Sequence, residues 1–138
     1  RLVAKAQGWC ANAGNGYRMA KILIVDDSTF AFNYLRKTVE SGGHEVVGRA
    51  EDGEQALTLF KSLQPELVTL DYLLAGRTGE EVLTDIIQSD PSAKVIMVSG
   101  VCDRDLEERV LQRGARVFLE KPCVERDLLN LIDQVMEI

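Results

Sequence analysis

One pattern constrains this sequence more than any other. From Met19 onward, a short apolar run, a polar break and an apolar stripe at helical spacing recur five times. The runs Ile22-Leu23-Ile24-Val25, Leu67-Val68-Thr69-Leu70 and Val95-Ile96-Met97-Val98 are continuous. Strands covered on both faces read this way, whereas strands with one wet face alternate. Glu45-Val46-Val47 and Val117-Phe118-Leu119 supply two shorter strands. The first helix opens at Asp27 or Ser28, carries Ala31, Leu35 and Val39 on one side, and ends at Gly42-Gly43. The second follows Asp52-Gly53 with Ala56, Leu57 and Phe60, and Pro65 breaks it. The third starts at Gly79, presents Val82, Leu83, Ile86 and Ile87, and is closed by Pro91. A charged helix runs from Asp103 to Arg113, and the last shows Leu128, Leu131, Ile132 and Val135. Strand and helix in strict alternation mean right-handed βαβ units, so the pattern predicts an α/β domain with a doubly covered parallel sheet.

Composition narrows the function. The chain has 138 residues, 46% of them hydrophobic and 28% charged, the profile of one ordinary globular domain. Its net charge of −6 argues against a DNA-directed surface, and residues 103–138 are themselves acidic. No apolar stretch is long enough for a transmembrane helix. Cys10, Cys102 and Cys123 have no metal-binding spacing and are an odd number, which predicts reduced thiols and a cytoplasmic setting. Residues 1–18 are rich in Gly, Ala and Asn and lack periodicity. They are expected to be an expression leader or other non-native extension, with 19–138 as the domain; a genuine N-terminal extension is the alternative.

In an open α/β sheet, ligands bind at the carboxyl edge of the strands. The first run delivers Asp26 and Asp27 to that edge, the third Asp71, the fourth Ser99 and the fifth Lys121. Clustered carboxylates repel one another by roughly 1 kcal/mol per pair even at high dielectric. A hard divalent cation offsets this best, and Mg²⁺ takes carboxylate oxygens while keeping positions open for phosphate. Each aspartate alone reads equally well as a helix cap or loop residue; together, on adjacent loops, they point to a metal. An aspartate beside such a cation and a lysine can attack phosphorus and form an acyl phosphate.

KILIVDDS (21–28), VTLD (68–71) with Gly79 eight residues on, MVSG (97–100) and GARVFLEKP (114–122) resemble the receiver domain of two-component response regulators, of the chemotaxis-regulator type. The resemblance spans residues 20–138. It implies a flavodoxin-like (βα)5 fold with strand order 2-1-3-4-5. It implies Asp71 as phospho-acceptor from a phosphohistidine on a sensor kinase or phosphotransfer protein, and an unknown output protein. Asp27 and Asp71 would bind Mg²⁺ directly, Asp26 through water, and the Leu73 carbonyl would complete the protein ligands. Ser99 and Lys121 would be the switch hydroxyl and the phosphate-pairing lysine, and Phe118 the aromatic switch position. A cis Lys121–Pro122 peptide is implied too. So is a signalling domain, modified rather than turning over, that exists as a monomer or weak dimer.

The sequence departs from the family pattern in places. Ala75 stands where the family usually has proline, and Phe118 where tyrosine is common. Phe30 and Phe32 lie near the site and read either as a partner-docking patch or as ordinary surface apolars. Phe118 itself reads as switch or as plain core residue. The single histidine, His44, lacks triad partners and is read as non-catalytic. Two other functions compete. A haloacid-dehalogenase-like phosphohydrolase needs D-x-D after its first strand, and this chain has Asp26-Asp27-Ser28. A non-phosphorylated interaction module would not need the full set of five site residues.

Overall fold

In the computed structural model, which describes residues 19–101 and 103–137, every predicted apolar run becomes a strand. The order is β1 (Lys21–Val25), α1 (Thr29–Ser41), β2 (Glu45–Ala50), α2 (Gly53–Leu63), β3 (Leu67–Leu70), α3 (Gly79–Ser89), β4 (Val95–Ser99), α4 (Arg104–Gln112), β5 (Val117–Glu120) and α5 (Glu125–Glu137). The strands form one parallel sheet in the order β2-β1-β3-β4-β5. The expectations for residues 1–18, including Cys10, and for Cys102 lie outside the described residues.

Helix starts follow local chemistry. Ser28 caps α1 by accepting from the Ala31 N–H, and Asp52 caps α2 by accepting from the Gln55 N–H. Thr78 and Glu81 form a reciprocal capping box at α3. Asp103 caps α4, so that helix begins one residue later than the charge pattern suggests. The end of α2 is set by Gln64 in a left-handed conformation (φ 49°), immediately before Pro65. β2 is longer than expected, reaching Ala50 rather than Val47. It is an edge strand, half-buried along most of its length, so Gly48 and Arg49 are tolerated where a central strand would need apolar residues.

Period-2 alternation sorts the strand residues into two cores. Leu23, Val25, Val68, Leu70, Val95 and Met97 face α2, α3 and α4. Ile22, Ile24, Leu67, Ile96 and Val98 face α1 and α5, with Val117 and Leu119 packed alongside. The same phase runs on past the strand ends. Asp26 continues Ile22 and Ile24, Asp71 continues Leu67 and Thr69, and Lys121 continues Val117 and Leu119. Three charged groups are thereby delivered to one side of the sheet edge. The order reverses between β1 and β3, so Asp26, Asp27 and Asp71 flank the topological switch point.

Thr69 is buried on the central strand, and its hydroxyl has no hydrogen-bond partner. A buried, unpaired hydroxyl costs stability, and valine keeps the shape without it. Thr69→Val is expected to raise the unfolding free energy by about 1 kcal/mol in urea titration. A loss of stability would show that the hydroxyl is satisfied.

Candidate functional site

The chain turns out of β1 at Asp26, whose carboxylate is buried at 1% exposure. One oxygen accepts from the Ser28 backbone N–H at 2.9 Å. The other accepts from Lys121 Nζ at 2.8 Å. Asp71, at the end of β3, is also buried, and its Oδ2 lies 3.5 Å from the same Lys121 Nζ. Asp27 is exposed at the rim. Carboxylate oxygens of Asp26, Asp27 and Asp71 all lie within 4.8 Å of one another. A single ammonium thus spans two buried carboxylates while a third stands open beside them.

The loop after β3 gives this pocket its shape. Gly79 N–H donates to the Tyr72 carbonyl at 2.6 Å, which folds the loop back on the acceptor strand. A Cβ on Gly79 would sit 2.1 Å from the Asp71 carbonyl oxygen, so only glycine fits. Gly76, in the same loop, needs glycine for a different reason, a φ of 83°. Ala75 occupies the family's proline position, and the loop is held by short bridges of Asp52 with Ala75 and Leu73 with Thr78. Leu73 is 59% exposed, and its backbone N–H favours the charged form of the Asp71 carboxylate.

The fourth and fifth strands complete the edge. Ser99 is fully buried, and its Oγ accepts from the Val101 N–H at 3.0 Å. That leaves the hydroxyl proton available as a donor. Lys121 N–H donates to the Ser99 carbonyl at 2.7 Å, tying the two strand ends together. The Lys121–Pro122 peptide is cis, as the resemblance implies. Phe118 pairs with Met97 and is half-buried against the α2–α4 core.

Electrostatics follow from burial and neighbours. Burial pushes the Asp71 carboxyl above its ordinary value; Lys121 opposes this, Asp26 adds to it, and the Leu73 N–H partly offsets it. Burial alone would lower the Lys121 ammonium, but the hydrogen bond to Asp26 and the charges of Asp71 and Asp26 hold it above its usual value. The donor set, carboxylate oxygens with an exposed flank, suits a hard divalent cation.

Two residues at this site escape a reading of motifs. Arg49, at the end of β2, donates from Nε to the Asp26 carbonyl at 3.3 Å. Tyr34 on α1 donates its hydroxyl to the Cys123 carbonyl at 2.8 Å, bracing the loop after β5. The pair Phe30 and Phe32 does not form one patch. Two residues apart on a helix they point about 200° from each other. Phe30 is 84% exposed, while Phe32 is half-buried under Arg49. Phe30, Tyr34, Pro122 and Cys123 line an apolar groove of about 490 Å³ that reaches Lys121. His44 sits at the other end of the sheet, accepting from the Ala20 N–H at 3.0 Å, with Nε2 3.8 Å from Asp133. Cys123 is a buried free thiol. Among the described residues, no helix is long and apolar enough to cross a membrane.

Residues 22–133 match the response regulator receiver domain family. Protein CcdB of Bacillus subtilis is 36% identical over 118 residues, covering 86% of this chain and 98% of that protein. The chemotaxis protein CheY of Listeria monocytogenes is 38% identical over 116 residues, covering 84% of this chain and 98% of CheY. Among solved structures, a Borrelia burgdorferi CheX–CheY–BeF3–Mg²⁺ complex superposes with a TM-score of 0.82 at 32% identity, covering 84% of this chain and 88% of that one.

A pH-dependent consequence follows from Asp71. Below the ordinary aspartate value of 3.8, folded and unfolded Asp71 are both protonated and stability is unaffected. Above it the unfolded chain ionises first, so stability is lost until the folded group has ionised too. Asp71→Asn removes that step. In chelator, the variant's advantage over the parent is expected to grow with pH across this window and then level off. Burial of the carboxylate is the main cause, with the Asp26 repulsion adding to it and Lys121 opposing it, and the plateau is about 1 kcal/mol, the order of a partly compensated buried polar group. Urea titrations at several pH values measure it; a constant difference would show that Asp71 is not strained in the fold.

Proposed function

The chain belongs to the response regulator receiver domain family, and on that premise we propose that it is a phospho-acceptor switch in which Asp71 carries the phosphoryl group. The observation that supports this most is the position of Lys121 Nζ, 2.8 Å from Asp26 and 3.5 Å from Asp71. A nucleophilic carboxylate beside one cation and two further carboxylates is the arrangement that phosphoryl transfer to aspartate needs.

In the proposed reaction, an Asp71 carboxylate oxygen attacks the phosphorus of a phosphohistidine on a sensor kinase or phosphotransfer protein. The P–N bond breaks as the P–O bond of the acyl phosphate forms. The departing imidazole nitrogen keeps the electron pair and takes a proton from solvent. Asp27, Asp71 and the Leu73 carbonyl, with Asp26 through water, would hold Mg²⁺, which would supply charge neutralisation for the phosphoryl group. Lys121 pairs with one phosphoryl oxygen, and the Ser99 hydroxyl donates to another. A similar protein was crystallised with BeF3 and Mg²⁺, which supports reading the acidic pocket as a Mg²⁺ site.

The exposed Phe30 and the groove to Lys121 fit a docking role for the phosphodonor. Readout would follow from Ser99 and Phe118 to the surface of α4, β5 and α5 and an output protein. We place this domain in the cytoplasm, as a signalling domain that is modified once rather than turning over substrate. The phosphohydrolase reading is weaker, because Leu73, not a carboxylate, stands two residues after the nucleophile.

Incubation with acetyl phosphate and Mg²⁺ is expected to add one phosphoryl group per chain by mass spectrometry. Asp71→Asn should remain unmodified, and full labelling of that variant would overturn the assignment. A second expectation concerns lifetime. Leu73 and Val101, two residues after Asp71 and Ser99, are apolar and cannot orient an attacking water. Leu73→Asn is expected to speed self-dephosphorylation, by about tenfold at most, the worth of one net hydrogen bond. Decay of the phosphorylated species after donor removal measures this, and an unchanged rate would refute it.

A further inference from the structure

The register of β2 contains an irregularity with an effect at the acidic pocket. Ile22 pairs with Val46, but Leu23 pairs with Gly48, so Val47 is an extra residue in the ladder. An extra residue inverts the facing of everything after it. Val46 accordingly packs on the α1–α5 side and Ala50 on the opposite side, although four residues apart they would otherwise share a face. Arg49, paired with Ile24, comes up on the α1 side. Without the bulge it would point toward α2.

There the guanidinium meets three parts of one segment. Nε donates to the Asp26 carbonyl at 3.3 Å, Nη2 donates to Thr29 Oγ1 at 3.4 Å, and Cζ lies 4.8 Å from the centroid of the Phe32 ring. The Asp26 carbonyl belongs to the peptide that leads into Asp27. The Asp26 side chain is anchored by Ser28 and Lys121. The Asp27 carboxylate is exposed and has no hydrogen bond or ion pair among the described residues. Its place is therefore set by its backbone, which two side chains hold: the Asp26 carboxylate through the Ser28 N–H and Arg49 through the Asp26 carbonyl.

We propose that Arg49 is a positioning residue for the metal site: stacked on Phe32, it orients the Asp26–Asp27 peptide and thereby Asp27. This rests on the reading of the pocket as a Mg²⁺ site. The alternative role, a nearby positive charge acting through space, has the opposite sign. A cation beside the pocket repels Mg²⁺, so losing only its charge would tighten binding. Lysine keeps the charge but has a point donor in place of the planar fork that both hydrogen-bonds and stacks.

Calorimetric titration of Mg²⁺ into the full chain separates these roles, with urea unfolding in chelator as a control on the fold. Arg49→Lys is expected to bind Mg²⁺ about tenfold more weakly, the effect of losing a group that orients a metal ligand. Phe32→Leu, which leaves Arg49 and its charge in place, should weaken binding about threefold through loss of the ring contact. It keeps the test open if Arg49→Lys does not fold. Weaker binding with little change of stability in chelator supports the proposal. Binding as tight as the parent's, or tighter, in both variants overturns it while leaving the metal reading intact. A parent chain that takes up no Mg²⁺ overturns both.

Discussion

The chain places three carboxylates at the edge of an apolar sheet and meets them with one ammonium. Everything else at that edge is arranged around this imbalance. Lys121 pairs closely with Asp26 and more distantly with Asp71, and Asp27 is left open to solvent. The arrangement is possible because three strands end in the same phase, with Ile24, Thr69 and Leu119 each followed two residues later by a charge. A slip of one residue in any of these strands would send its charged group to the opposite face. Burial holds β1 and β3 in the middle of the sheet, whereas β5 is a half-buried edge strand.

The cost of the site is small against what supports it. Burying Asp71 with partial compensation costs about as much as one net hydrogen bond, roughly 1 kcal/mol. Fully burying one leucine or isoleucine contributes about 1.5–3 kcal/mol. Ile22, Leu23, Ile24, Leu67 and Leu70 alone, all fully buried on the two strands flanking the switch point, outweigh it severalfold. The fold can therefore carry a strained, under-neutralised cluster at its sheet edge.

The central strands and the polar residue at each strand end were legible because their signals are local. Val95-Ile96-Met97-Val98 is buried throughout, and the caps at Ser28 and Asp52 sit where side-chain chemistry puts them. The edge strand was less legible. Gly48 and Arg49 lack β-forming character, and only pairing with β1 carries β2 on to Ala50. The bulge at Val47 leaves no mark in composition, since its effect is on facing alone. Arg49 was missed for that reason. Phe30 and Phe32 look like one aromatic patch in a linear reading, yet helical geometry separates them and gives Phe32 to the arginine. Gly79 was recognisable as a matching position, but its physical reason, a backbone carbonyl 2.1 Å from any Cβ, is a tertiary fact.

Two hydrogen bonds at the ends of β4 and β5 limit how a change at Asp71 can travel. Lys121 N–H reaches the Ser99 carbonyl, and Ser99 Oγ receives the Val101 N–H. The Ser99 hydroxyl can donate its proton while Oγ keeps accepting from Val101, so only a rotation of the side chain would loosen that bond. Val101 opens the loop that leads to the Asp103 cap of α4. That cap rests on one side-chain oxygen accepting from Asp105 at 3.0 Å, an interaction of about 1 kcal/mol. α4 is also held to α3 by Glu80 against Arg109 and Arg113, half-exposed pairs that contribute little each. Two buried residues, Leu106 and Val110, anchor α4, against four in α5, Leu128, Leu131, Ile132 and Val135. A rearrangement that starts at Ser99 would therefore be resisted less at α4 than at α5.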